Sequence, residues 1–320
     1  MDSLVKRWNL TRADVPVLVM SALIIGFLFL LYFEFGQIYH RDGDTKSALG
    51  WMIVRWRTGE RTYGHIYKIF SLLIPAISLW TLWRRRDELR AARKRAFWPA
   101  WVLIAGCLFA HWAGVVTEHP RLCLVSLIAI FWSIPLFLYG AQVARWLIFP
   151  CVYLVFLIPL NFLDGFVFKV RLLVSQTAAA IMNGLGMECA VRGTDIVSLN
   201  GSYVIELQST ASGLGVVLLC LAVASAVGNL TQRSWVYQWS VFFSAIPAYF
   251  FASTIIMVLF GFVAGAIGQD PVTWMASYVL VPLVSVMSLT FIAVVATVFR
   301  RFGPLGVLRS RLRILTRHPG

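Results

Sequence analysis

Leu199 to Gly215 reads LNGSYVIELQSTASGLG. Asn200-Gly201 separates two strand-like runs, Ile196–Leu199 and Ser202–Ile205, and a pair of that type between such runs predicts a hairpin with a type I′ turn. Ser209-Thr210-Ala211-Ser212 then leads into Gly213-Leu214-Gly215 and an apolar run that ends near Leu230. Hydroxyl side chains just ahead of a helical run suit its N-cap. A small β element therefore abuts the mouth of a helix that is long and apolar enough to enter a bilayer, which takes about 20 residues.

The same apolar pattern recurs outward from this junction. The chain has 320 residues, 59% hydrophobic and 13% charged, with a mean hydropathy of +0.78. Soluble domains average about 25% charged residues. The expected class is an all-α polytopic membrane protein, one membrane domain over residues 1–320. Spans are expected near 17–35, 66–83, 96–116, 123–141, 146–163, 212–230, 235–264 and 275–299. The first run is too long for a signal h-region and is expected to stay in place. Residues 164–207 differ. Phe166, Val170, Leu173, Thr177 and Ile181 recur at helical spacing, with Lys169, Gln176 and Asn183 on an opposite polar stripe. That pattern predicts an interfacial amphipathic helix ahead of the outward hairpin.

The net charge is +14, and its placement explains it. Lys and Arg gather at the N-terminus, in Arg84–Arg95, at Arg145 and Arg233, and in the C-terminal tail. All these positions fall on one side of the eight-span arrangement, which marks that side as cytoplasmic. Both termini are then inside a plasma (inner) membrane, and the hairpin faces out. The basic runs are anchors at a lipid surface, with no nucleic-acid partner implied. Four of the five cysteines lie within apolar runs, and Cys189 alone is extramembranous, so no disulfide framework is expected. No His/Asp/Glu cluster has metal-ligand spacing, and no glycine-rich loop cradles phosphates, so neither metal nor cofactor is expected.

Several longer stretches carry a resemblance. They are IPAISLWTLWRRRDEL (Ile74–Leu89), VARWLIFPCVYLVFLIPL (Val143–Leu160), NGSYVIEL (Asn200–Leu207), SGLG (Ser212–Gly215) and SAIPAYFFASTIIMVLFG (Ser244–Gly261). In this order and spacing the chain resembles the exosortase/archaeosortase family of integral-membrane transpeptidases, over about Gly64–Arg301. The resemblance implies sortase-like chemistry: a cysteine just before Ser-Gly-Leu as nucleophile, an arginine in the seventh span as oxyanion clamp, and a histidine near the eighth span as acid and base. Here the nucleophile position is Ala211. The family's Asn-x-x-Arg falls on Ser253 and Ile256. The histidine region reads Trp274-Met275-Ala276-Ser277. Neither an alanine methyl nor an isoleucine can do the work required, so the three departures together imply loss of the site.

The resemblance supports three readings. The first is a non-catalytic homologue that keeps a groove for the C-terminal apolar helix and basic tail of exported proteins, with a place in envelope or exopolysaccharide assembly. Ser209, Thr210, Ser212, Gly213 and Ser253 are its candidate groove residues. The second is an active membrane protease or transpeptidase with a rearranged site, in which Thr210 or Ser212 works with His111. His111 stands in the third span, where an ionisable residue is a functional candidate. The third is a lipid or small-molecule carrier.

Overall fold

Within a bilayer a segment must satisfy its own backbone N–H and C=O groups, and long apolar runs do so as helices. The computed structural model describes residues 24, 26–32, 47–58, 60–92, 95–158, 163–205, 213–231, 235–268, 279 and 281–302. In chain order the helices are α1 (Ala48–Thr58), α2 (Glu60–Arg84), α3 (Arg86–Ala91), α4 (Ala100–Val116), α5 (Pro120–Tyr139), α6 (Ala141–Tyr153, continued by a 3₁₀ turn, Leu154–Leu157) and α7 (Asp164–Gly184). Three strands follow, β1 (Cys189–Arg192), β2 (Asp195–Ser198) and β3 (Val204–Ile205). After them come α8 (Gly213–Leu230), α9 (Trp235–Phe243), α10 (Ala245–Ile267) and α11 (Val281–Phe302).

Five segments are long and apolar enough to cross a membrane: Pro120–Tyr139, Asp164–Gly184, Gly213–Leu230, Trp235–Ala266 and Pro282–Phe299. Three shorter apolar helices are Leu72–Arg84, Ala100–Val116 and Ala141–Leu157. Together they cover the expected spans from the second to the eighth. The first, 17–35, lies largely outside the described residues, of which 26–32 are helical. The remaining apolar helix is α7. Large apolar side chains such as Trp101, Phe109, Trp112, Phe251 and Leu259 are exposed along these helices, as a lipid-facing surface requires.

The described chain divides into two units, Met1–Arg55 with Arg86–Pro159, and Trp56–Arg85 with Leu160–Gly320. In the first, α4 and α5 form an antiparallel pair. The chain reverses at Thr117–His119, and Pro120 starts α5 where its missing N–H is no loss. Trp132 Nε1 donates to Ala144 O at 2.9 Å and ties α5 to α6.

In the second unit α8 packs against α2, α7, α9, α10 and α11. Its buried residues include Gly213, Gly215, Ala222, Ala224, Ala226 and Gly228, and small side chains let helix backbones approach closely where lipid supplies no hydrophobic drive. α2 and α8 end together: Arg85 Nη2 donates to Asn229 Oδ1 at 3.4 Å. α7 runs alongside α10 in the same direction. A Cβ added at Gly261 of α10 would meet the Met182 thioether, and one at Gly265 would meet Met187 Cε at 3.2 Å.

The buried face of α7 is Val167, Arg171, Val174, Ser175, Ala178, Ala179 and Met182. Phe166, Leu173 and Ile181, members of the expected apolar stripe, are exposed. Small and β-branched residues dominate the packed face, with Arg171 and Met182 among them, and apolar residues also stand on the outer face, as a helix in an apolar medium allows.

The sheet has the order β1-β2-β3, antiparallel throughout. Ile196 pairs with Ile205 and Val197 with Val204, so the expected hairpin is present. Its turn is not type I′. Gly201 has φ +71°, whereas Asn200 does not take positive φ. Gly201 N donates to Ser198 O at 3.1 Å and closes a turn over Ser198–Gly201. The Asn200 side-chain oxygen accepts from the Ser198 and Ser202 hydroxyls, which organises the loop without a second left-handed residue. β1 joins β2 through Gly193-Thr194, with Gly193 at φ +63°. The sheet is docked on α7: Ser175 Oγ donates to Thr194 O at 2.5 Å, and Asn183 bonds both backbone groups of Cys189.

Candidate functional site at the mouth of helix α8

Three helices meet at Gly213. A Cβ placed there would lie 2.5 Å from the Tyr249 hydroxyl, 3.0 Å from Arg171 Cδ and 3.2 Å from Arg171 Cγ. Only a residue without a side chain lets α7 and α10 close on the start of α8. The nucleophile position of the resembled family, Ala211, stands two residues before this point.

Arg171 is the unexpected member. It is 6% exposed. Its Nη2 donates to Asp164 Oδ1 at 3.0 Å, two turns back along α7, and that carboxylate is half-exposed. The guanidinium also lies 5.9 Å over the Phe168 ring, a favourable cation–π position. Among the described residues its buried Nε has no hydrogen-bond partner. A charge taken out of water is costly unless its donors are satisfied. On α10, Tyr249 is 1% exposed, and one turn further Ser253 is 2% exposed, its hydroxyl beside that of Tyr249. The unsatisfied Nε of Arg171 can give a proton to an oxygen. The arrangement is a cation with a spare donor, suited to holding an oxygen acceptor.

Ile256, where the resemblance put the family's clamp arginine, is 0% exposed. Ser209, Thr210, Ala211, Ser212 and Met275 lie outside the described residues. Gly213, Ser253 and Ile256 belong to the second unit. His111 belongs to the first, where it is 6% exposed, stacks on Tyr32 with ring centroids 4.0 Å apart, and leaves Nδ1 without a partner. Tyr32 in turn hydrogen-bonds Ser126 at 2.7 Å, and Cys123 Sγ donates to the His111 carbonyl at 3.5 Å.

The five cysteines are free, and all but Cys107 are buried. Cys189 donates to Ala179 O at 3.7 Å, and burial pushes its thiol above the ordinary value. A raised thiol is a poor nucleophile at neutral pH. Among the described residues no three His, Cys, Asp or Glu side chains converge as metal ligands.

Sequence reasoning missed Arg171 because the polar stripe of α7 runs through Lys169, Gln176 and Asn183. The available signal was its company. Val167, Val174, Ser175 and Ala178, three, four and seven residues away, are apolar or small, so the arginine stands on the packed face.

An apolar helical bundle with a small docked sheet and a polar cluster at a helix mouth defines an integral membrane protein. Residues 56–303 match the model of the transmembrane exosortase family (Exosortase_EpsH). The chain belongs to that family. No curated protein and no solved structure gives a significant match.

Proposed function

We propose that this chain is a non-catalytic exosortase homologue that docks the C-terminal apolar helix of exported proteins, with the sheet on the outer face of the plasma membrane. The observation that carries the reading is Ile256. The position that would hold the oxyanion clamp is occupied by a fully buried apolar side chain, and losing one such donor typically costs about 3–4 kcal/mol of transition-state stabilisation. Ala211 and Met275 remove the nucleophile and the proton shuttle from the same transition state, and such losses leave no member that works alone. Binding of an apolar helix depends on packing and survives those changes. The proposal includes a place in envelope or exopolysaccharide assembly.

The test is co-expression with a secreted reporter that ends in an apolar helix and a basic tail, scoring capture and cleavage separately. Capture of the intact reporter is the expected result. Cleavage by the unmodified chain would overturn the reading, and substitution of Thr210, Ser212 and His111 would then locate the chemistry.

A further inference from the structure

A cavity of about 470 Å³ opens between α3 and the first turns of α6, its lining wholly within the first unit. Backbone bonds hold its surroundings in place. Arg95 N donates to Tyr139 O at 3.2 Å and Phe97 N to Phe137 O at 3.1 Å, so the stretch ahead of α4 is tied to the end of α5. Gly140, at φ +85°, turns α5 into α6, and a Cβ there would strike the Arg95 carbonyl oxygen. The cavity's size falls within the range of small-molecule sites, about 300–1,000 Å³. Its chemistry is a pair of opposite charges that do not meet. Glu88 of α3 and Arg145 of α6 both line it, and among the described residues no ion pair joins them. A plain anion would gain Arg145 but face Glu88, and a plain cation would meet the reverse. A zwitterion satisfies both. Guanidinium groups suit phosphate oxygens, and an ammonium brings three N–H donors to a carboxylate. Tryptophans mark the depth. The Arg145 guanidinium lies 5.5 Å from the Trp146 ring centroid. Trp98, exposed at the same end of the first unit, meets Phe137 edge-on at 5.6 Å. Tryptophan gathers at the level of lipid headgroups.

We propose that the cavity between Glu88 and Arg145 binds the headgroup of phosphatidylethanolamine, with the phosphodiester on Arg145 and the ammonium on Glu88. The small side chains of Ala91, Ala92 and Ala141 leave room for the linking carbons. Phosphatidylcholine offers the same phosphate, but its quaternary nitrogen has no N–H for Glu88. Phosphatidylglycerol lacks the cation and leaves Glu88 facing an anion. The tryptophans favour a lipid over a soluble phosphoethanolamine, because they set the cavity where a headgroup already resides. The site needs no docked peptide and stands whether or not the chain captures one.

The experiment is native mass spectrometry of the full chain, delipidated in detergent and offered an equal mixture of phosphatidylethanolamine, phosphatidylcholine and phosphatidylglycerol with identical acyl chains. The expected result is that phosphatidylethanolamine is retained about threefold over each of the others, the scale of one exposed charge pair. Glu88→Gln should bring phosphatidylethanolamine down to the level of phosphatidylcholine. Arg145→Gln should lower both together, and Arg145→Lys should restore most of the loss. Glu88 and Arg145 are exposed, so the variants should keep the unfolding temperature of the unmodified protein, and that measurement separates lost binding from lost folding. Equal retention of the lipids by the unmodified protein would overturn the proposal, as would a phosphatidylethanolamine preference that survives Glu88→Gln. A preference for phosphatidylglycerol that Arg145→Gln removes would mean a simple anion site and would overturn the zwitterion. A last arm adds glycerophosphoethanolamine, the soluble headgroup, at low millimolar concentration. If it raises the unfolding temperature of the unmodified protein but not of Arg145→Gln, while the lipids are retained alike, the cavity serves a soluble phosphoethanolamine and the lipid proposal fails.

Discussion

At the scale of single residues, burial sets what position 256 can hold. Ile256 is fully buried in α10. An arginine there would enter without a described carboxylate to meet it, and an uncompensated buried charge costs about 3–5 kcal/mol. Ile256→Arg is therefore expected to lower the thermal midpoint in detergent and to reduce the yield of folded protein. Ala211→Cys should be tolerated and inactive, since a free thiol at about pKa 8.5 is only a few per cent ionised at neutral pH. A cleavage assay on each variant, read beside its melting curve, checks both statements. A pH prediction belongs to the same scale. Burial raises the Cys189 thiol, and burial followed by the neighbouring Cys189 raises the Tyr203 hydroxyl. Both groups are held in their protonated forms by the fold. Their contribution to stability is thus complete below the unfolded values, 9.0 for the thiol and 10.0 for the phenol, and is lost as pH rises through the higher folded values. Amide exchange in β1 and β3 should accelerate on alkaline titration before exchange in α8 does, and maleimide should react with Cys189 slowly at neutral pH until the sheet opens. Uniform acceleration across both elements would contradict this.

At the scale of elements, glycine positions separate two kinds of constraint. Gly201 has open space around it but a φ of +71°, so Gly201→Val is strained through the backbone alone, by about 1–2 kcal/mol. Limited proteolysis should then cut the sheet earlier while leaving α8 and α10 intact. Gly213 is the opposite case. Its added Cβ would meet the Tyr249 hydroxyl and the Arg171 stem, so Gly213→Ala forces α7 and α10 away from α8 at about 1–3 kcal/mol, the usual range for overpacking. That variant should melt earlier, whereas Gly201→Val should leave the melting of α7, α8 and α10 unchanged. The elements themselves were largely legible in the sequence. Apolar runs announced α2, α4, α5, α6 and α8 to α11, helical spacing announced α7, and Asn200-Gly201 announced the hairpin, while the charged α3 lies in a stretch that reads as a basic loop. The turn type was not legible, because the Asn200 side chain supplies a hydrogen-bonding alternative to left-handed backbone. The inward face of α7 was not legible either. Periodicity in hydrophobicity finds a packed face only where the surroundings are water. Val167, Val174, Ala178 and Met182 face inward while Phe166, Leu173 and Ile181 face outward. Apolar residues stand on both faces, so a pattern of apolar against polar residues does not single out the packed one and passes over Arg171.

At the scale of the whole chain, one contact decides between two crossing patterns. α7 is long and apolar enough to cross a membrane by length and composition, and a full crossing there would reverse every later segment. Arg85, just after α2, reaches Asn229 near the end of α8, so α2 and α8 finish on the same side. Between them come the apolar helices α4, α5 and α6. If all three cross, as the eight-span arrangement expects, the chain reaches the far side, from which α8 returns to finish beside α2. A fourth crossing by α7 would leave α8 finishing on the opposite side from Arg85. The eight-span arrangement therefore requires α7 to follow α10 without adding a net crossing, which is the pattern the Lys/Arg asymmetry predicts. Arg84–Arg95 and Arg300–Arg317 should both be cytoplasmic, with the sheet outside. A single cysteine at Gly201 would disrupt the turn, so the probe is better placed at Ser202, which is exposed beside it, in a background with the five native cysteines replaced. Ser202→Cys should react with a membrane-impermeant maleimide in intact cells, and Arg90→Cys only after permeabilisation. The reverse pattern would sink the eight-span arrangement. Labelling of both probes from outside would instead mean that α7 crosses, that the Arg85–Asn229 contact does not report topology, and that the basic segments do not share one side.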